Sequence, residues 1–205
     1  MALILEYNLI MRTQAIILKK IPIREYDELV ICYTKEAGKQ VCQAKSVLLP
    51  TSKQAGHLDV LNLVDFSLIH KNSHPIITSA YCLEAFPRLK SSLPAMAAAY
   101  FLLECFDKLI FEGEADPKLW DFLLLQFQKF NQKVFLWNNS PYGELFHRRD
   151  ERDGGTSQYI INWVAELAKA RQDLLKILGY DPDQPLEQLA NSQFKSLQFV
   201  RKVLE

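Results

Sequence analysis

The sequence predicts an α+β protein: a small, closed, five-stranded β-barrel first, and an α-helical domain after it. Three observations carry this. Apolar residues alternate with period two through roughly the first 80 positions, turn-forming residues break that stretch into five short runs, and after residue 83 the period changes to helical.

The first run is Arg12 to Lys20, with Ala15, Ile16, Ile17 and Leu18 at its centre. The second is Glu28 to Thr34, where Leu29, Ile31 and Tyr33 share a face. Lys35-Glu36-Ala37-Gly38 is a turn in which Gly38 can take positive φ, and Lys39 to Ser46 pairs back as a hairpin. After a loop containing Pro50 and Gly56, Leu61 to His70 alternates Val64, Phe66 and Leu68 with Asp65 and Ser67. Lys71-Asn72-Ser73 turns the chain into Ile76 to Tyr81. The domain reading is an extension over 1–10, a barrel over 11–83 and a helical domain over 84–205. In the helical part, Ser92 is placed to cap a helix running to about Phe111 and ended by Gly113. Asp116-Pro117 gives the next helix a cap and an N1 proline, and its stripe is Leu119, Trp120, Leu123, Leu124, Phe127 and Phe130. A loop is expected over about 138–158. A third helix follows from Tyr159 to Leu178, closed by Gly179 and Pro182, then a short one from about Gln193 to Leu204.

Composition excludes several classes. Twenty-four Lys+Arg balance 24 Asp+Glu, so a histone-like, purely electrostatic nucleic-acid binder is not expected. With 49% hydrophobic and 23% charged residues the chain is not a disordered one. The longest apolar run, Ala95 to Leu103, is far short of the ~20 residues of a membrane span. The N-terminus has no basic region and carries Glu6, which does not read as a signal peptide, so a cytoplasmic location with free thiols at Cys32, Cys42, Cys82 and Cys105 is expected.

Catalytic and metal chemistry finds little to stand on. Only seven glycines are present, and there is no phosphate loop, dinucleotide fingerprint or nucleophile elbow. No Cys-x-x-Cys pair occurs and His57, His70, His74 and His147 lack ligand spacing, so neither zinc nor any other cofactor is expected. Arg24-Glu25-Tyr26-Asp27-Glu28 is an acidic cluster that reads either as an acid/base pair or as carboxylates capping turns. Cys32 and Cys42 fall on partner strands, as small core residues rather than a redox pair.

The barrel carries the positive signal. Period-two geometry puts Lys39, Val41, Gln43 and Lys45 on one face, with Lys19, Lys20 and Arg24 bordering it and Lys35 and Lys53 on adjoining turns. Residues 1–82 hold nine Lys/Arg against seven acids, a surplus of two. Single-strand binding needs a basic groove and aromatic platforms, for which Tyr26 and Tyr33 are the local candidates, Tyr33 fitting the core better. In the helical domain Tyr100, Phe101, Phe106, Phe111, Trp120, Phe122, Phe127 and Phe130 exceed an ordinary share. Most must be core, but some can line a groove for an acidic peptide beside Lys108, Lys129 and Lys133.

The order of residues adds a family resemblance. Met11-Arg12-Thr13-Gln14-Ala15-Ile16-Ile17-Leu18 resembles the start of the bacterial recombination mediator family RecO. The series continues through Glu25-Tyr26-Asp27, Leu29 to Thr34, Gly38-Lys39, Ala44-Lys45, Ser52 and Gly56-His57-Leu58. Ala98 to Glu104 and Leu174 to Tyr180 look similar too. The resemblance implies an oligonucleotide/oligosaccharide-binding (OB) barrel and a non-enzymatic role. The family binds single- and double-stranded DNA, anneals strands, and assists RecA loading on strands coated by single-strand-binding protein. Its partners are RecR and the acidic C-terminal tail of the coating protein. Two departures stand out. Asp181-Pro182-Asp183-Gln184-Pro185 stands where many members carry a four-cysteine zinc module, and Val47-Leu48-Leu49-Pro50 stands where the family loop is often basic. The second departure supports a rival expectation, a protein–protein adaptor on an OB scaffold with little DNA affinity.

Overall fold

The computed structural model describes residues 10–70, 74–138 and 155–204. The strands are β1 (Ile10–Pro22), β2 (Glu28–Thr34), β3 (Gly38–Ala44), β4 (Leu63–Ile69) and β5 (Ile76–Glu84). The helices are α1 (Pro87–Ser91), α2 (Leu93–Leu109), α3 (Pro117–Asn138), α4 (Gly155–Ile177), α5 (Leu186–Ala190) and α6 (Lys195–Leu204). They form two compact units. One holds the chain up to Ala85 together with Ile110–Asp116. The other holds Phe86–Leu109 and the chain from Pro117 on.

The first unit is a closed barrel in the order β1-β2-β3-β5-β4. The expected five strands are all present. β1 is long enough to serve two neighbours: its first half pairs with β4 and its second with β2, all antiparallel. A register shift between Ile17 and Lys19 bends it, as a strand must bend to wrap a small barrel. β3 and β5 close the ring through a short parallel contact, Gln43 opposite Ile76 and Ala44 opposite Ile77. The interior is filled by alternate residues, among them Ala15, Ile17, Val30, Cys32, Cys42, Val64, Phe66 and Leu68. Burying these faces is the main force holding the barrel, at about 25 cal/mol per Å² of apolar surface. Cys32 and Cys42 are free and buried, and their mutual hydrogen bond together with burial holds the Cys32 thiol well above its ordinary pKa. That is a core role, not a redox one. The β2–β3 turn closes as expected, with Gly38 at φ 64°. The Thr34 hydroxyl donates to the Gly38 carbonyl (2.9 Å) and accepts the Ala37 N–H (3.0 Å).

β5 continues to Glu84 rather than stopping at Tyr81, because Leu63 on β4 offers it a partner there. α2 ends at Leu109, before Phe111, for a tertiary reason: residues 110–116 leave the helix to lie against the barrel. In the helical unit Ser92 caps α2 as expected, its carbonyl accepting the Met96 N–H at 2.9 Å. Gly179, at φ 79°, ends α4 in a Schellman turn, where Tyr180 N–H reaches the Leu175 carbonyl and Gly179 N–H the Lys176 carbonyl. The first turn of α4 begins at Gly155, earlier than Tyr159, and the greater part of the expected loop over 138–158 lies outside the described residues. The short helices α1 and α5 have no counterpart in the sequence reading, since five residues are too few for a periodic stripe. Phe101, Phe106, Trp120, Phe122, Phe127 and Phe130 are core, with Phe130 edge-on to Trp163 (centroids 5.3 Å apart) and Phe86 edge-on to Phe127 (5.7 Å).

Candidate nucleic-acid interface

The outer faces of the barrel strands decide which basic residues meet solvent. On β2 and β3 the outward positions pair Tyr33 with Lys39 and Ile31 with Val41. Three of these four are buried: Tyr33 at 0%, Ile31 at 7% and Lys39 at 8% exposure. The segment Ile110–Asp116 lies against this face. Gly113 N–H donates to the Lys39 carbonyl (2.9 Å), and Lys39 Nζ donates to the Ile110 carbonyl (3.2 Å). The Tyr33 hydroxyl accepts the Asp116 N–H at 3.1 Å and donates to the Asp116 carbonyl at 3.3 Å, and burial raises its pKa. Lys39 is therefore not a solvated phosphate ligand beside Lys45, as its strand position predicts. It is an internal strut. Period two placed it outward correctly, but a segment about seventy residues later covers it. Tyr33 is buried, as expected, but on the outward face beneath residues 110–116 and not in the barrel interior, which Val30 and Cys32 help to fill.

The other expected cations are spread over the barrel. Lys45 and Arg24 are exposed near one end, where the loop 23–27 meets the loop after β3. Two bonds join these loops: Ser46 N–H to Asp27 Oδ1 (2.8 Å) and Leu48 N–H to the Tyr26 carbonyl (3.0 Å). Lys19 is exposed on β1, opposite Ile31, whereas Lys20 forms an ion pair with the buried Glu28 (3.1 Å). Lys35 sits on the β2–β3 turn, at the opposite end of that hairpin from Lys45. Lys53 lies in the β3–β4 loop, next to Gln54, whose side-chain amide donates to the Thr78 carbonyl of β5 (3.2 Å). Arg24 and Lys45 thus share one end of the barrel, Lys35 lies at the far end of the β2–β3 hairpin, and Lys19 lies between them, opposite Ile31.

The acidic cluster is explained by turns. Asp27 accepts from Ser46 and from the Gln43 amide (3.2 Å), with Arg24 at 4.0 Å, and Glu28 is held by Lys20. His57 is fixed by accepting the Cys82 N–H at Nδ1 (3.2 Å), His70 is exposed, and His147 lies outside the described residues. Among the described residues no three metal-ligating side chains converge, and no helix is long and apolar enough to cross a membrane.

Two features take their form only in the fold, although Tyr26 and the Val47–Pro50 loop stand out in the sequence. At the loop end of the barrel Ile21, Ile23, Tyr26 and Leu48 are 37–41% exposed and form an apolar rim. On the outer face of β1, β4 and β5, Arg12 makes a bidentate pair with Asp65 (2.8 and 2.9 Å) beside Tyr81, which is 65% exposed. The Arg12 hydrogen bond and charge hold the Asp65 carboxyl below its ordinary pKa.

In the helical unit Lys129 and Lys133 line a shallow groove of about 260 Å³ between α3 and α4, with Leu136 and Glu166. Lys133 is tied to Glu166 (3.4 Å) and to the Asn162 carbonyl (3.0 Å), over the Trp163 ring. Lys108 is not part of this groove. It joins α2 to the start of α6, paired with Glu104 (3.0 Å), bonded to the Gln193 carbonyl and set over the Phe194 ring.

A five-stranded barrel closed in this order, followed by a helical unit, defines an OB-fold chain. Residues 9–86 match the family described as Recombination protein O N terminal, so the barrel is similar to the N-terminal domain of that family. It is 30% identical over 113 residues to a protein of Desulforudis audaxviator named DNA repair protein RecO, covering 55% of this chain and 45% of that one. A protein of the same name from Roseiflexus sp. is 35% identical over 108 residues (52% and 37%), and one from Salinibacter ruber 25% over 139 residues (66% and 54%). The chain spans about half the length of the curated relatives it matches.

Proposed function

We propose that this chain is a non-enzymatic DNA repair and recombination mediator. It binds single- and double-stranded DNA, anneals complementary strands and assists RecA loading in the bacterial cytoplasm. RecR and the acidic tail of single-strand-binding protein are its protein partners, and it uses no cofactor. The observation that carries the reading is that the OB barrel coincides with the span matching the recombination family. Lys19, Arg24 and Lys45 neutralise phosphates and release counterions. Two strands brought to one such surface repel each other less, and pairing follows. The groove beside Lys129 and Lys133 is offered to the acidic tail. The test is a salt titration of binding to a labelled single strand and to a duplex, followed by an annealing assay. Binding that weakens linearly in log salt, together with faster annealing, is the expected result.

The apolar rim of Ile21, Ile23, Tyr26 and Leu48 favours a second reading, an adaptor that grips a protein rather than DNA. Absence of any single-strand binding at low salt selects it.

A further inference from the structure

With Tyr33, Ile31 and Lys39 of the β2–β3 face buried, exposed outward side chains remain along β5 and at Arg12 near the start of β1. Along β5 the exposed positions Thr78, Ser79, Tyr81 and Leu83 present a strip to solvent. Tyr81 is the most exposed aromatic of the barrel strands, at 65%. It stands opposite Asp65 and borders a cavity of about 220 Å³ lined by Arg12, Asp65, Ser67, Ser79 and Ala80. His57 packs against the Tyr81 ring (centroids 5.7 Å apart, planes at 33°), and its Nδ1 is anchored on the Cys82 N–H. The aromatic surface is thus braced from one side. Arg12 meets Asp65 through Nε and Nη2, so its Nη1 group takes no part in that pairing, and its side chain is 76% exposed.

Charge says what such a surface takes. Arg12 is offset by Asp65, so phosphate attraction here is weak. An exposed ring beside fixed donors and acceptors instead suits a flat heteroaromatic group, with its face on the ring and its polar edge toward the Ser67 and Ser79 hydroxyls and the Arg12–Asp65 pair. We propose that Tyr81 is the stacking platform for an unpaired nucleobase, on the side of the barrel away from the covered β2–β3 face. The inference rests on the single-strand binding proposed above and locates where bases, rather than phosphates, are held.

The experiment is equilibrium anisotropy of the full chain with labelled oligothymidylate at several salt concentrations, with a duplex of equal length as control. Tyr81→Ala should weaken single-strand binding about five-fold or more at every salt concentration, because one base stack is lost. Its salt slope should match wild type, because stacking releases no counterions, whereas Lys45→Glu should make the slope shallower by about 0.7. Tyr81→Phe and Tyr81→Trp should bind like wild type, and Tyr81→Ala should leave duplex affinity unchanged. Unchanged single-strand affinity in a folded Tyr81→Ala protein overturns the stacking site and leaves the mediator reading standing. So does an equal loss on duplex, or a loss as large in Tyr81→Phe. A wild-type chain that binds no single strand overturns both.

Discussion

Lys39 is a buried cation whose ammonium donates to a backbone carbonyl, that of Ile110. A carboxylate in its place has no proton to offer that oxygen and buries charge of the wrong sign. Lys39→Glu should therefore lower stability by about 3 kcal/mol in urea unfolding, on the scale of breaking a buried charged contact. Lys39→Met fills the same space without a charge and should lose only about 1 kcal/mol, for the unpaired carbonyl. Lys45→Glu, at an exposed position, should stay within about 0.5 kcal/mol. The ordering of the three variants checks the assignment of Lys39 as a strut, because two surface lysines would behave alike.

At the scale of elements, two contacts hold segments whose own sequence is too weak to hold them. Gly38 has φ 64°, and a Cβ built there would lie 2.0 Å from the Glu114 carbonyl oxygen. Gly113 has φ 81° with open space around it. Gly38→Ala should thus cost more than the left-handed backbone strain of about 1–2 kcal/mol that Gly113→Ala pays alone, and should raise hydrogen exchange at the Gly113 amide. The second contact is at the start of α6. The Glu104 carboxylate, reaching from α2, accepts the Lys195 and Ser196 N–H groups and the Ser196 hydroxyl. It caps a helix to which it does not belong. Burial works to raise the Glu104 pKa, but these bonds and Lys108 outweigh it and hold it below the ordinary value. A depressed carboxyl stabilises the fold above its unfolded pKa of about 4.3, and that contribution is lost as pH falls through the lower folded value. Acidification below about pH 4 should therefore loosen α6 selectively, seen as faster exchange of its amides, and Glu104→Gln should loosen it already at neutral pH. A uniform response of all the helices would contradict the capping role.

For the whole molecule, zero net charge and a covered β2–β3 face limit electrostatic binding. With the three proposed phosphate contacts, Lys19, Arg24 and Lys45, the slope of log affinity against log salt on single strands should be about −2, at ~0.7 per phosphate contact. A slope near about −3.5 would mean that Lys35 and Lys53 are recruited as well, at ~0.7 per contact. Zinc analysis of the purified chain should find no stoichiometric metal, since Cys32, Cys42 and Cys105 are buried in cores.

Local pattern by itself determined the five strands, the turn at Gly38, the capping of α2 by Ser92 and the end of α4 at Gly179. Alternation, turn chemistry and caps are written within a few residues of one another, so these are local statements. The likeness of the barrel to the RecO N-terminal domain was legible too, in the order of short segments from Met11 to Leu58. What the sequence could not decide was which outward-facing residues meet water. Lys39 and Lys45 read alike along β3, but residues 110–116 bury the first and leave the second exposed. Lys108 and Lys129 read alike on their helices, yet Lys108 is taken up by Glu104 and Phe194. The prominence of Tyr81 likewise depends on His57 from another loop and on the β2–β3 face being closed. Burial is a property of what comes to lie against a residue, and here that is chain tens of positions away.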